Sequence, residues 1–141
     1  MVLTRSQRTA GNVALVSTAA ALATLAPVAA LQLGLCSHLP DPPLTVFDSD
    51  AITSSRAAHP FGVPDGLLGL FSYSITLALL LAARRSRAVH PLLKIKLVID
   101  ASAAAGNSVR QVVKFRRVCS WCTATALATA AIVHYGRKSL E

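Results

Sequence analysis

From Thr9 to Pro40 the chain carries no lysine, arginine, aspartate or glutamate, and this uncharged run limits the fold more than any motif does. A bilayer core about 30 Å thick is crossed by ~20 apolar residues wound as a helix. "GNVALVSTAAALATLAPVAALQLGL", Gly11 to Leu35, is long enough to cross. Arg5 and Arg8 before it and "VAA" (Val28 to Ala30) within it also fit a cleaved signal peptide. The run is longer than the ~7–15 apolar residues such peptides use, which favours a retained helix. Pro27 is expected to kink that helix, which a membrane tolerates when neighbours satisfy the freed carbonyl.

Two more runs follow. "GLLGLFSYSITLALLLAA" (Gly66 to Ala83) stops at Arg84, Arg85 and Arg87, and "VCSWCTATALATAAIVHY" (Val118 to Tyr135) stops at Arg137 and Lys138. The stretch between them is amphipathic. Lys96, Asp100, Asn107, Gln111 and Lys114 recur at helical spacing on one face, opposite Leu97, Val98, Ala101, Ala104, Ala105, Val109 and Val112. Such a helix either spans with its polar stripe turned to partner helices or lies in the interface; spanning is the working assumption.

Only 14% of the 141 residues are charged and 53% are hydrophobic, whereas ordinary globular chains carry roughly a quarter charged residues. The expected fold is therefore all-α: one integral membrane domain, residues 1–141, forming a four-helix bundle. Its spans are expected near 11–35, 66–83, 92–113 and 118–136, with an amphipathic third helix and a large first outer loop. Basic residues favour the cytoplasmic side. Arg5, Arg8, the Arg84–Lys96 cluster, Arg137 and Lys138 place both termini and the middle loop there, and the acidic loop from Cys36 to Asp65 outside. Arg110, Lys114, Arg116 and Arg117 fall outside too, against that rule. The net charge of +8 lies between apolar runs rather than along a stripe, so membrane lipid and not nucleic acid is the expected partner.

The chemistry sits in "CSWC". Cys119 and Cys122, three apart on a helix, share a face and can close a disulfide. At a helix N-terminus, with Arg116 and Arg117 upstream, unpaired amides and the helix dipole favour a thiolate. A dithiol at the membrane boundary suits electron exchange between protein disulfides and a lipid-soluble quinone. Structural cysteines are the bland alternative. Zinc needs further ligands, and Cys36 and the four histidines form no second paired motif, so no metal is expected. Nucleotide, zinc-protease and serine-hydrolase signatures are missing.

A second stretch adds to this. "SDAITSSRAAHPFGVPDGLLGLFSY" (Ser49 to Tyr73) resembles the first outer loop and second helix of the vitamin K epoxide reductase family. Ile52, Ser54, Ser55, Arg56, Phe61, Gly62, Pro64, Leu68 and Gly69 fall in step with it, and "CSWC" stands where the family carries its C-x-x-C. The resemblance runs from about residue 45 to 136. It implies a helical bundle around a quinone, with Cys122 facing the quinone and Cys119 receiving electrons from the loop side, recharged by a thioredoxin-like protein. Phe61, Asp65, Trp121 and Ala126 are the implied quinone contacts. Asp65 stands where the family often has an asparagine, and an ionised aspartate cannot donate a hydrogen bond. Ser49 aligns with the second loop cysteine, which leaves Cys36 as a relay candidate without its partner. The expected function is a quinone-linked thiol oxidoreductase of the endoplasmic reticulum or bacterial inner membrane. The alternative is a structural or assembly subunit of a larger membrane complex on the same scaffold.

Overall fold

The structure is a computed structural model and describes residues 2–141. It is all-α, with no strands among the described residues. Helix α1 (Arg5–Gln32) opens with Thr4 and Gln7 in a reciprocal capping box, which satisfies two of the orphan amides of its first turn. It runs through Pro27 and stops where Gly34 takes a positive φ of 75°. There the Leu35 amide reaches back to the Ala30 carbonyl (2.8 Å) and the Gly34 amide to Leu31 (3.0 Å), a left-handed helix end. A short helix, α2 (Ser49–Thr53), begins at Asp48, whose carboxylate takes the Ala51 amide at 3.1 Å. Three long helices follow: α3 (Asp65–Ala83), α4 (His90–Arg110) and α5 (Ser120–Lys138).

Helix α1 packs against α3 and, most extensively, α5; α4 closes the group by packing on α5 and α3. The core between them is Ala14, Ala21, Leu25, Tyr73, Leu80, Ala83, Leu93, Leu97 and Ile132. Alanine and glycine let the axes come close. A Cβ at Gly66 would lie 2.6 Å from Gln32 Oε1 and 2.9 Å from the Ala29 backbone nitrogen. One at Gly69 would lie 2.8 Å from a Leu25 methyl. Gly66→Ala is therefore expected to push α3 off α1 and cost about 1–3 kcal/mol, measured by unfolding in detergent. Gly69→Ala, which meets only a movable side chain, should cost less.

The interior holds polar groups while the outside is apolar. Thr18, Thr76, Asp100 and Thr129 are buried, while Phe71, Leu81, Ile95, Val98, Ile99, Val109, Val112 and Leu127 are exposed. Helix α4 is the clearest case. Its Lys96 ammonium donates to Ser72 (2.9 Å) and Thr76 (2.8 Å) of α3 and pairs with Asp100, which is 3% exposed. The polar stripe read from the sequence thus turns inward from Lys96 to Gln111, whereas Lys114, read as its last member, is corrected: it is exposed in the turn beyond α4. Leu97, assigned to the opposite face, is corrected: it is 1% exposed and packs against Gly136. Of the long helices, α1 and α3 are long and apolar enough to cross a membrane, by length and composition. Helices α4 and α5 carry more polar positions.

Candidate active site

Chain geometry at the start of α5 sets the thiols. After α4 the backbone winds as a π-helical turn over Gln111–Phe115, and Arg116 takes a left-handed conformation, φ 52°. That tight return brings Gln111, 2% exposed, under the next helix, where its Oε1 accepts the Cys119 amide at 2.9 Å. Cys119 is the N-cap of α5: its sulfur accepts the Cys122 amide at 3.2 Å. Amides aimed at a sulfur favour its thiolate form. Cys119 is fully buried, Cys122 half-buried, and both are free thiols.

The two sulfurs face different surroundings. Cys122 lines a cavity of about 450 Å³ walled by α1, α3, α4 and α5, through Leu25, Leu68, Ala104, Ala126 and others. Its polar lining includes Asp65, Ser72, Tyr73, Asp100, Asn107 and Arg110. Cys119 is covered instead by the loop between α1 and α3. Residues 46–48 pair with Val118, the Asp48 amide donating to the Val118 carbonyl (3.0 Å) and the Val118 amide to Val46 (2.9 Å). Ser49, fully buried, accepts with its hydroxyl the amide of Ser120, the residue after Cys119, at 3.1 Å. Asp41 ties the layer down: its Oδ1 accepts both the Ser49 and Ser120 hydroxyls at 2.5 Å, and its Oδ2 the Ser49 amide at 2.9 Å. Arg117 donates to Asp48 (2.8 Å), and the Trp121 indole donates to the Pro40 carbonyl (3.0 Å).

Burial pushes the Asp41 carboxyl up, but the hydroxyls of Ser120 and Ser49 and the Ser49 amide outweigh it and hold the group below the ordinary carboxylate value. A carboxylate depressed on folding stabilises above its unfolded pKa and loses that contribution as pH falls through the lower folded value. Deuterium uptake at residues 48–53 should therefore stay low until pH drops below the ordinary carboxylate range. Asp41→Asn should raise that uptake at neutral pH.

Among the residues implied by the sequence, Cys122, Asp65 and Ala126 share the cavity wall. Phe61 and Trp121 do not. Phe61 is fully exposed in a turn with φ 56°, and Trp121 turns toward the loop that covers Cys119. Cys36 is half-buried in the chain just beyond α1 and does not line the cavity. Asp65 acts as an acceptor, taking a hydrogen bond from Gln32 at 2.7 Å. Sequence reading missed Gln32, Asp41, Asn107 and Arg110 as site residues. It placed Gln111 on a polar face but not under the thiols. Gln32 and Asp41 depend on contacts between distant segments, and Asn107 and Arg110 on a hydrogen bond to each other across one helical turn. Among the described residues no cluster of His, Cys, Asp or Glu is gathered for a metal.

No curated protein and no solved structure matches the chain significantly. The family model described as "Vitamin K epoxide reductase family" matches residues 9–136. Its members are membrane-embedded, and membership points to thiol oxidoreduction related to quinone reduction. With a match spanning most of its length, the chain belongs to the vitamin K epoxide reductase family.

Proposed function

We propose that the protein is a membrane thiol oxidoreductase that passes two electrons from the Cys119–Cys122 dithiol to a quinone held in the cavity. The observation that carries this reading is the division of the pair: Cys122 borders a mainly apolar cavity of about 450 Å³, while Cys119, one turn earlier, borders the loop layer. Two S–H bonds break, the S–S bond forms, and two electrons and two protons convert the quinone to a quinol. A dithiol partner of thioredoxin type then reduces the disulfide and is itself oxidised.

The same reading makes α1, α3, α4 and α5 a four-helix bundle across the endoplasmic reticulum membrane or a bacterial inner membrane. The termini are cytoplasmic and the Cys36–Asp65 loop lies outside. The apolar outer faces and inward polar groups support it, because lipid rewards the first and forbids exposure of the second. The outer basic residues that break the charge rule are partly answered: Arg117 pairs with Asp48, and Arg110 lies 3.9 Å from Asp65. Helix α1 supplies Ala14, Ala21 and Leu25 to the core, which argues for its retention over cleavage.

A second reading, an assembly subunit without turnover, is favoured by one observation. Ser49 packs on Ser120, next to Cys119, where a relay thiol is expected, and a hydroxyl cannot form a disulfide. In the catalytic reading electrons reach Cys119 directly from the partner or through Cys36, and the Asp41 latch must open, since Cys119 is fully buried.

Thiol alkylation with mass spectrometry on purified protein separates the two. Added quinone should convert both thiols from alkylated to protected, with quinol formed in equal amount. Thiols that stay reduced whatever quinone is added, with both cysteines dispensable in a stable complex, select the second reading.

A further inference from the structure

Quinone reduction builds negative charge on the carbonyl oxygens, and a dry cavity lowers that barrier only with hydrogen-bond donors already aimed at them. Most polar groups in the cavity wall have none to spare. Asp65 and Asp100 are acceptors, the Tyr73 hydroxyl pairs with Thr129, and the Ser72 hydroxyl donates to Asp100 at 3.4 Å.

Asn107 differs. Its Oδ1 receives Arg110 Nη2 at 2.5 Å. A guanidinium only donates, so the amide must offer it oxygen and turn its NH2 the other way. That NH2 donates to no protein group among the described residues, and Asn107 lines the cavity. Arg110 is itself held, its Nη1 donating to the Ala57 carbonyl at 3.0 Å. Its Nε is buried without an acceptor, an uncompensated donor on the same wall.

We propose that the Asn107 side-chain amide, oriented by Arg110, is the hydrogen-bond donor to a quinone oxygen, with Arg110 as a positioning residue. This rests on the quinone reading above and supplies a donor from α4, while Asp65 of α3 takes a hydrogen bond from Gln32. When the two thiols deliver their electrons, the oxygen facing Asn107 gains charge and the N–H···O bond strengthens, so the amide acts on the transition state more than on binding.

The test uses full-length protein in detergent, menadione as the quinone and dithiothreitol as the reductant. Asn107→Asp keeps size and an acceptor toward Arg110 but removes the donor. It is expected to lower kcat about 100-fold, with KM moving only a few-fold and the thermal midpoint held. Asn107→Gln, which keeps an amide, should recover part of the rate, and Arg110→Lys should lose part. Turnover by Asn107→Asp within about threefold of the unsubstituted protein overturns the proposal. If the unsubstituted protein does not reduce menadione at all, the catalytic reading falls instead. The amide is then judged by menadione binding, followed through quenching of Trp121, the single tryptophan. Weakening of Kd by threefold or more in Asn107→Asp supports the donor role, and an equal Kd overturns it.

Discussion

Replacing Cys122 with serine is expected to take quinone reduction to the uncatalysed rate, a loss of more than about a thousandfold. The reason is electronic rather than steric. A serine oxygen fills nearly the same space beside Ala126 and Thr125 on the cavity wall. However, it cannot close a bond to the Cys119 sulfur, so the pair has no disulfide through which to give up two electrons. Cys119→Ser should be equally inactive in steady state but by a different route, since Cys122 remains open to alkylation from the cavity. Stopped-flow quinone absorbance with each variant, together with alkylation mapping, checks both. Residual turnover above a few per cent in Cys122→Ser places the electron donor elsewhere and removes the dithiol from the mechanism.

Asp100→Ala is expected to be the most damaging change to stability, about 3–5 kcal/mol. Lys96 would keep its charge in a site where its side chain is only 12% exposed, with no counter-ion. The Ser72 and Thr76 hydroxyls would also lose an acceptor, Thr76 from a bond of 2.6 Å. Replacing both partners with apolar residues, Lys96→Met with Asp100→Leu, should be close to neutral or stabilising, because the cost of desolvating two ions disappears with them. Unfolding titrations in mixed detergent measure both. A loss below about 1 kcal/mol in Asp100→Ala would mean that water reaches the pair and screens it.

The fold was legible where the signal is local. Uncharged runs bounded by arginine marked α1, α3 and α5, and the four- and seven-residue spacing from Lys96 to Gln111 marked the polar side of α4. The closeness of Cys119 and Cys122 was legible for the same reason, since the two need only one helical turn to meet. What stayed hidden depends on contacts and turns that residue spacing does not record. Nothing in "DPP" announces that Asp41 will bind Ser120 some eighty residues on (|i−j| = 79). Nothing near Gln111 announces that a π turn will set it beneath Cys119. Phe61 shows the opposite error. It fell in step with a motif, but the turn at φ 56° points its ring to the exterior, and sequence spacing carries no information about that dihedral. Asn107 was read as one member of a polar stripe. The role proposed for it rests on what Arg110 forces its amide to do.

The ion pair on α4 also constrains how the chain is made. In the proposed topology Lys96 and Asp100 each oppose entry into lipid by about 2.5–3.5 kcal/mol near a helix centre, so α4 is a poor candidate for release from a translocation channel by itself. Ser72 and Thr76, which receive those charges, sit on α3. The smallest unit that can partition into the bilayer is thus the α3–α4 hairpin, and α3, though greasy enough to leave early, gains from waiting for its successor. Biogenesis of this protein should bring α3 and α4 into the bilayer together.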